Sequence, residues 1–238
     1  FNQTVHALAN HWRPSLLSGD LTFENTDHLQ AVLKVYGGND VAVVVRQQID
    51  NPKLPIKQRQ ALLALLAQTG NSNDAQLVLK RGSNLPDVLD ALSESVQKRN
   101  LQPPPNAEKQ LFTATRNRNE LVRAKAIQLA GLWEIISFKD YIVTEATDQN
   151  ELANVRLAAT EALGLLGGDK AIESLDRLAV LTEPTSVRAA AISGLAKLDL
   201  PKAAKHSAEL LTKVNETELG SILAAILKRN EGADALAG

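Results

Sequence analysis

The residues able to do chemistry are few and scattered. Histidine occurs at His6, His11, His28 and His206, and there is no cysteine. His6 and His11 are five residues apart, off the shared face that an i, i+4 metal pair requires, so no metal site is expected. His28 follows Asp27, and His206 lies between Lys205 and Ser207; both read as exposed helical residues. No Ser-His-Asp set or Gly-x-Ser-x-Gly turn occurs. Gly164-Leu165-Leu166-Gly167-Gly168-Asp169-Lys170 has a superficial likeness to a phosphate loop. It lacks the Gly-Lys-Ser/Thr ending and follows a helical pattern, which favours a glycine pair closing a helix. No catalytic, cofactor-binding or metal residue is assigned, and no cofactor is expected.

Composition narrows the function classes in the same direction. The chain has 238 residues, 26 Lys+Arg against 27 Asp+Glu, a net charge of -1, and neither Cys nor Met. A disulfide scaffold, a cysteine-based zinc or iron–sulfur site and a thiol nucleophile are excluded. A balanced charge argues against a dedicated nucleic-acid binder, which carries a basic excess. No apolar run approaches the roughly 20 residues of a membrane span. Aromatics make up only 3% of residues, so Leu and Ala carry the apolar load, a balance suited to close helix–helix packing. Phe1 is no initiator Met, and an apolar pattern is interrupted at Gly238, so both ends are expected to be cuts in a longer chain.

The remaining polar residues recur with a period. Val122-Arg123-Ala124, Val155-Arg156-Leu157 and Val187-Arg188-Ala189 each open an amphipathic stretch, and their arginines are 33 and 32 residues apart. Two such steps back from Arg123 reach Arg59 in the same apolar phase, through Ala91. Further steps reach Asp27, before Leu29 and Leu33, and Gly220, before Ile226 and Leu227. Each period holds two helical patterns. Gly167-Gly168-Asp169 and Asp199-Leu200-Pro201 divide the two best ones. The second helix of the first shows Ala171, Ile172, Leu175, Leu178 and Ala179 on one face; that of the next shows Ala204, Ala208 and Leu211. Earlier second helices are placed at Asn73–Arg81, Asn106–Thr115 and Phe138–Thr147, and Pro103-Pro104-Pro105 breaks the chain between helices. Val41–Val45 is the one β-like run, and its setting favours a buried helix.

One such hairpin cannot bury its own apolar faces, so neighbours must stack. The expected fold is all-α: a right-handed α-solenoid of about six to seven helical hairpins with one concave face. Residues 1–25 form a lead-in helix, possible first-repeat material, and 26–238 form the solenoid, truncated at its C-terminus. Ala126, Ala159 and Ala191, three positions after the repeated arginines, are expected to permit close approach. Arg59, Arg123, Arg156 and Arg188 have two readings. They could line a groove for an anionic partner, or they could bond carbonyls and carboxylates of the neighbouring hairpin, which is the favoured one. Arg116 and Arg118 sit in the densest basic turn; a phosphate contact is conceivable there, and a solvated loop is preferred. Trp133 takes a place held by Leu166 and Leu198 in later repeats, a packing position. Trp12, beside His11 and Arg13, could mark an interface with an upstream domain. Asn2-Gln3-Thr4 and Asn215-Glu216-Thr217 match the glycosylation acceptor, a cheap match.

The Val-Arg, Ala-Leu-Gly and Leu-Gly-Gly-Asp series resembles HEAT repeats, specifically the short bacterial type related to phycobilisome-lyase repeats. A narrower resemblance, carried by Leu85–Pro103, Ala124–Trp133, Val155–Gly168, Leu198–Ala204 and Ile222–Ala237, is to the helical segment of planctomycete-type multidomain proteins. There it lies between a sugar-dehydrogenase-like propeller and a haem-binding cytochrome domain. That resemblance implies a spacer between redox modules in an extracytoplasmic, periplasmic setting. The expected function is therefore a non-catalytic scaffold for a protein partner or for neighbouring domains of the same polypeptide. The alternative is a DNA-binding enzyme of the alkyl-purine DNA glycosylase type, against which the net charge and the isolated tryptophans weigh. A chromophore-lyase helper is suggested by repeat similarity alone.

Overall fold

Alternating apolar faces of period near 3.6, punctuated by Gly, Pro and Asn, dictate short helices joined by tight turns. The computed structural model describes residues 2–18, 21, 23, 26–36, 39–50, 55–180, 182–210, 220, 223, 224, 226 and 227. Among the described residues all regular structure is helical. A lead-in pair, α1 (Asn2–Ala7) and α2 (Ala9–Ser18), precedes α3 (Thr26–Tyr36) and α4 (Asn39–Ile49). Then come α5 (Ile56–Thr69), α6 (Ser72–Gly82), α7 (Pro86–Arg99) and α8 (Ala107–Ala114). The series continues with α9 (Glu120–Leu132), a 3₁₀ turn (Ile136–Phe138), α10 (Lys139–Thr147), α11 (Ala153–Leu166), α12 (Asp169–Leu178), α13 (Thr185–Leu198) and α14 (Leu200–Leu210). The lead-in is thus two short helices split at Leu8, where one had been expected.

The helices gather into two compact units, residues 1–114 and 115–238. In the first, α3, α5 and α7 form a row, with α4 packed on α5 and α6 on α7. In the second, α9, α11 and α13 form the row, with α10 packed on α11 and α12 on α13. Each unit is therefore a stack of helical hairpins in which the second helix of one hairpin covers the first helix of the next. This is the stacking of an all-α solenoid.

The turns follow from local chemistry. Gly167 and Gly168 adopt φ of 60° and 85°, values open to glycine without Cβ strain, and they close α11 and open α12. The phosphate-loop likeness of this stretch is thereby explained as a helix stop. Pro201 takes the second position of α14, where its missing N–H costs nothing. Asn71 caps α6 with a reciprocal box, its side chain accepting from the Asp74 N–H while Asp74 accepts from the Asn71 N–H. Val41–Val45 is helical as expected, and Val44 and Val45 are buried.

The core is built from the anticipated residues, with one correction. Ala126, Ala159 and Ala191 are fully buried, as are Leu62, Leu89, Ile127, Leu163 and Leu195. Trp133 is buried at 7% exposure. In α14 the buried stripe is Ala203, Ala204, His206 and Ser207, whereas Ala208 is exposed and Leu211 lies outside the described residues. The buried stripe runs i, i+1, i+3, i+4, so it takes in one imidazole and one hydroxyl. His206 therefore does not stand in solvent as its polar neighbours suggested. Asn215 and the run from 228 to Leu236 also lie outside the described residues.

Candidate functional site: the inter-hairpin clasps and the adjoining grooves

The repeated arginines occupy the first helix of each hairpin in the second unit, one turn in from its N-terminus. Burial there forces each guanidinium to find acceptors, since a desolvated unpaired charge is costly. Arg156 of α11 is 5% exposed. Its Nε donates to the Ala146 carbonyl at 3.3 Å, at the end of α10, and its Nη2 donates to Glu183 at 2.6 Å. Glu183 lies two residues before α13. Arg123 of α9 is paired in the same register with Glu151, two residues before α11, and its Nη2 also stands 3.9 Å from Glu145 of α10. The arginine of one hairpin thus reaches the glutamate that leads into the next. Arg188 donates to the Thr185 hydroxyl at 3.2 Å.

Glu145 and Glu151 form the one convergence of perturbed carboxyls around these arginines. Burial holds Glu145 above the usual glutamate range; its hydrogen bond and charge contact with Glu151 add to this, against Tyr141 and Arg123. Glu151 is also penalised by burial, but the Leu152 N–H, Glu145 and Arg123 outweigh that and bring it below the usual range. Two carboxyls pushed apart in this way can mark an acid–base pair. Here both face Arg123, and the Tyr141 hydroxyl beside them donates to the Thr115 carbonyl at 3.2 Å. The cluster binds one hairpin to the next.

Arg59 sits in the first turn of α5 and its backbone N–H bonds the Pro55 carbonyl. One period later Ala91 offers no arginine, and the α5–α7 joint is made at the other helix end. Ser95 donates to the Ala67 carbonyl at 2.7 Å, and Arg99 to the carbonyls of Gly70 and Ala67 at 3.0 and 3.3 Å. These groups satisfy the orphan carbonyls closing α5, and the sequence reading did not single them out. It also missed Asp74, 2% exposed, which accepts from Arg46 Nε at 2.5 Å and Nη2 at 3.0 Å in addition to capping α6. The Asn71-x-x-Asp74 spacing was the available signal.

Arg116 and Arg118 are exposed in the turn before α9. Trp12 is half-buried in α2, and its indole N–H donates to the Val5 carbonyl at 3.0 Å, so it ties the lead-in pair together.

Successive first helices meet through small residues. A Cβ on Gly131 would lie 2.7 Å from the Ala162 Cβ. The alanines three after each of Arg123, Arg156 and Arg188 are buried, and the glycine positions in this row show close approaches as well, Gly131 to Ala162 and Gly164 to Gly194.

Residues 108–196 match the family model for HEAT repeats. No curated protein matches the chain. The HEAT-like segment runs from the first turn of α8 into α13 and holds the Arg123, Arg156 and Arg188 positions. Outside it, α3 to α7 repeat the same packing of second helix upon following first helix.

Open surface is found between hairpins of the first unit. A cleft of about 390 Å³ separates α5 from the start of α7, with Gln60, Gln68, Lys57 and Asp87 on its walls. A trough of about 490 Å³ runs between α6 and α8, lined by Asn73, Gln76, Leu77, Lys80, Asn106 and Gln110. Among the described residues no three His, Asp or Glu side chains are grouped as metal ligands, and no helix is long and apolar enough to cross a membrane.

Proposed function

We propose that this chain is a non-catalytic HEAT-like scaffold whose grooves engage a protein partner or neighbouring domains of the same polypeptide. The observation that carries this reading is the division of polar groups. Arg123 and Arg156 are engaged with Glu151 and Glu183 between hairpins, and open polar surface lies in grooves between helices. Repeat stacks offer such grooves in series. The resemblance to planctomycete-type proteins extends the proposal to a spacer between redox modules in an extracytoplasmic compartment, to be tested on the full reading frame by a propeller upstream and a Cys-x-x-Cys-His motif downstream.

Photo-crosslinking from the groove residues in cells tests the scaffold itself. Discrete adducts that survive nuclease and are digested by protease are expected. Nuclease-sensitive adducts, or excision of alkylated bases from duplex DNA by the purified chain, would overturn the scaffold in favour of a DNA-processing enzyme.

A further inference from the structure

Among the described residues, three seams between second helices of successive hairpins carry a cation–carboxylate pair. Asp50, just past α4, pairs with Arg81 of α6, and Arg46 of α4 with Asp74 of α6. Asp140 of α10 meets Lys170 of α12 at 2.9 Å, thirty residues on. Asp176 of α12 meets His206 of α14 at 2.7 Å, again thirty residues on, and Lys202 at 3.3 Å. At the α6–α8 seam, thirty residues beyond Lys80, stands Gln110. The trough at this seam is lined by amides and holds no carboxylate.

The consequence is visible in the trough. Lys80 and the side-chain amides of Asn73, Gln76, Asn106 and Gln110 have no partner among the described residues, although amides nearby are engaged, Asn71 as the α6 cap and Gln102 with Asn100. Lys80 is the one charged group in the lining, and no lining residue is acidic. Leu77 supplies an apolar floor. From Asn73 to Lys80 the helix advances about 10 Å, the reach of about three extended residues.

We propose that the α6–α8 trough binds an extended polypeptide segment bearing a carboxylate side chain, which pairs with Lys80. Each side-chain amide donates and accepts at once, as a main-chain peptide group does, so the amides suit the backbone of an extended strand. Lys80 gives a charge-assisted bond to the acidic side chain. A single cation is too little for a phosphate backbone, whose binding needs several. This inference rests on the scaffold reading and names the chemistry of its partner.

The test uses the whole 238-residue chain and fluorescence anisotropy with labelled Gly/Ser octapeptides carrying a central Glu pair, a Gln pair or a Lys pair, and with oligothymidylate. The Glu peptide is expected to bind on the order of tenfold more tightly than the Gln peptide. Gln110→Glu, which places a competing carboxylate in the trough, and Lys80→Glu are each expected to abolish that preference, and Lys80→Glu to shift it to the Lys peptide. Circular dichroism checks that both surface variants are folded. Absence of binding, equal binding of Glu and Gln peptides, oligothymidylate binding of comparable strength, or a preference untouched by both variants would each overturn the proposal. Protease-sensitive adducts in cells that persist in Gln110→Glu would overturn it while leaving the scaffold intact.

Discussion

A Cβ placed on Gly164 would stand 2.8 Å from the Cα of Gly194, so α11 and α13 meet there backbone to backbone. The helices pack this closely because each omits a side chain at the same point. Glycine within a helix costs about 1 kcal/mol relative to alanine, so on propensity alone Gly164→Ala would stabilise. The obstacle is backbone and cannot swing aside, and overpacking a tight contact costs about 1–3 kcal/mol. Gly164→Ala is therefore expected to lose about 1 kcal/mol net in urea denaturation, and Gly164→Val several times that. An increase in stability for either would refute the close approach.

Glu145 gives a pH signature of one sign. Its carboxyl is held above its ordinary value, first by burial and then by Glu151. A raised carboxyl contributes stability below its unfolded value, lost as pH rises through the folded one. A glutamine side chain at this position would keep the hydrogen-bonding shape without the charge. Glu145→Gln is expected to raise the Tm at pH 7 by a degree or two, which corresponds to about half a kcal/mol in a chain of this size, and to leave it unchanged near pH 4. Equal effects at both pH values would show that Glu145 is not strained by its surroundings.

Asp176 gives the opposite sign. Its carboxyl is held below the ordinary value, chiefly by the hydrogen bond to His206, with Lys202 contributing against burial. Stability from such a group is present above its unfolded value and is lost as pH falls through the folded one. Asp176→Asn is expected to lower the Tm at pH 7, and the gap from wild type is expected to close below about pH 3, by differential scanning calorimetry. A gap that widens in acid would contradict the pairing of α12 with α14.

The periodic parts of this fold were legible because stacking repeats its own requirements. Arg123 and Arg156 recur where a cation reaches the next hairpin, Arg188 holds the equivalent position in α13, and Gly167-Gly168 announce a helix stop through their chemistry alone. Partners were harder to read. Glu183 is 27 residues from Arg156, and nothing in the local pattern of either names the other. His206 was misjudged because Lys205 and Ser207 flank it; a polar residue on a buried stripe is invisible to hydrophobic periodicity, and its acceptor Asp176 is thirty residues away. The α6–α8 trough joins Asn73, Gln76 and Lys80 to Asn106 and Gln110 of a later helix, and that juxtaposition becomes evident only in space.

The central claim is that, in the second unit, the hairpins opening with α9 and α11 are each fixed to the next by an arginine reaching the glutamate that leads into the following helix. A double-mutant cycle on Arg156 and Glu183 measures this directly, through the unfolding free energies of Arg156→Met, Glu183→Leu and the double variant. Arg156→Met leaves a nearly buried carboxylate unpaired, and a loss of about 3–5 kcal/mol is expected, much of it recovered when Glu183 is also replaced. The account predicts a coupling energy above about 1.5 kcal/mol between these two positions. Additive effects, within about 0.5 kcal/mol, would contradict it.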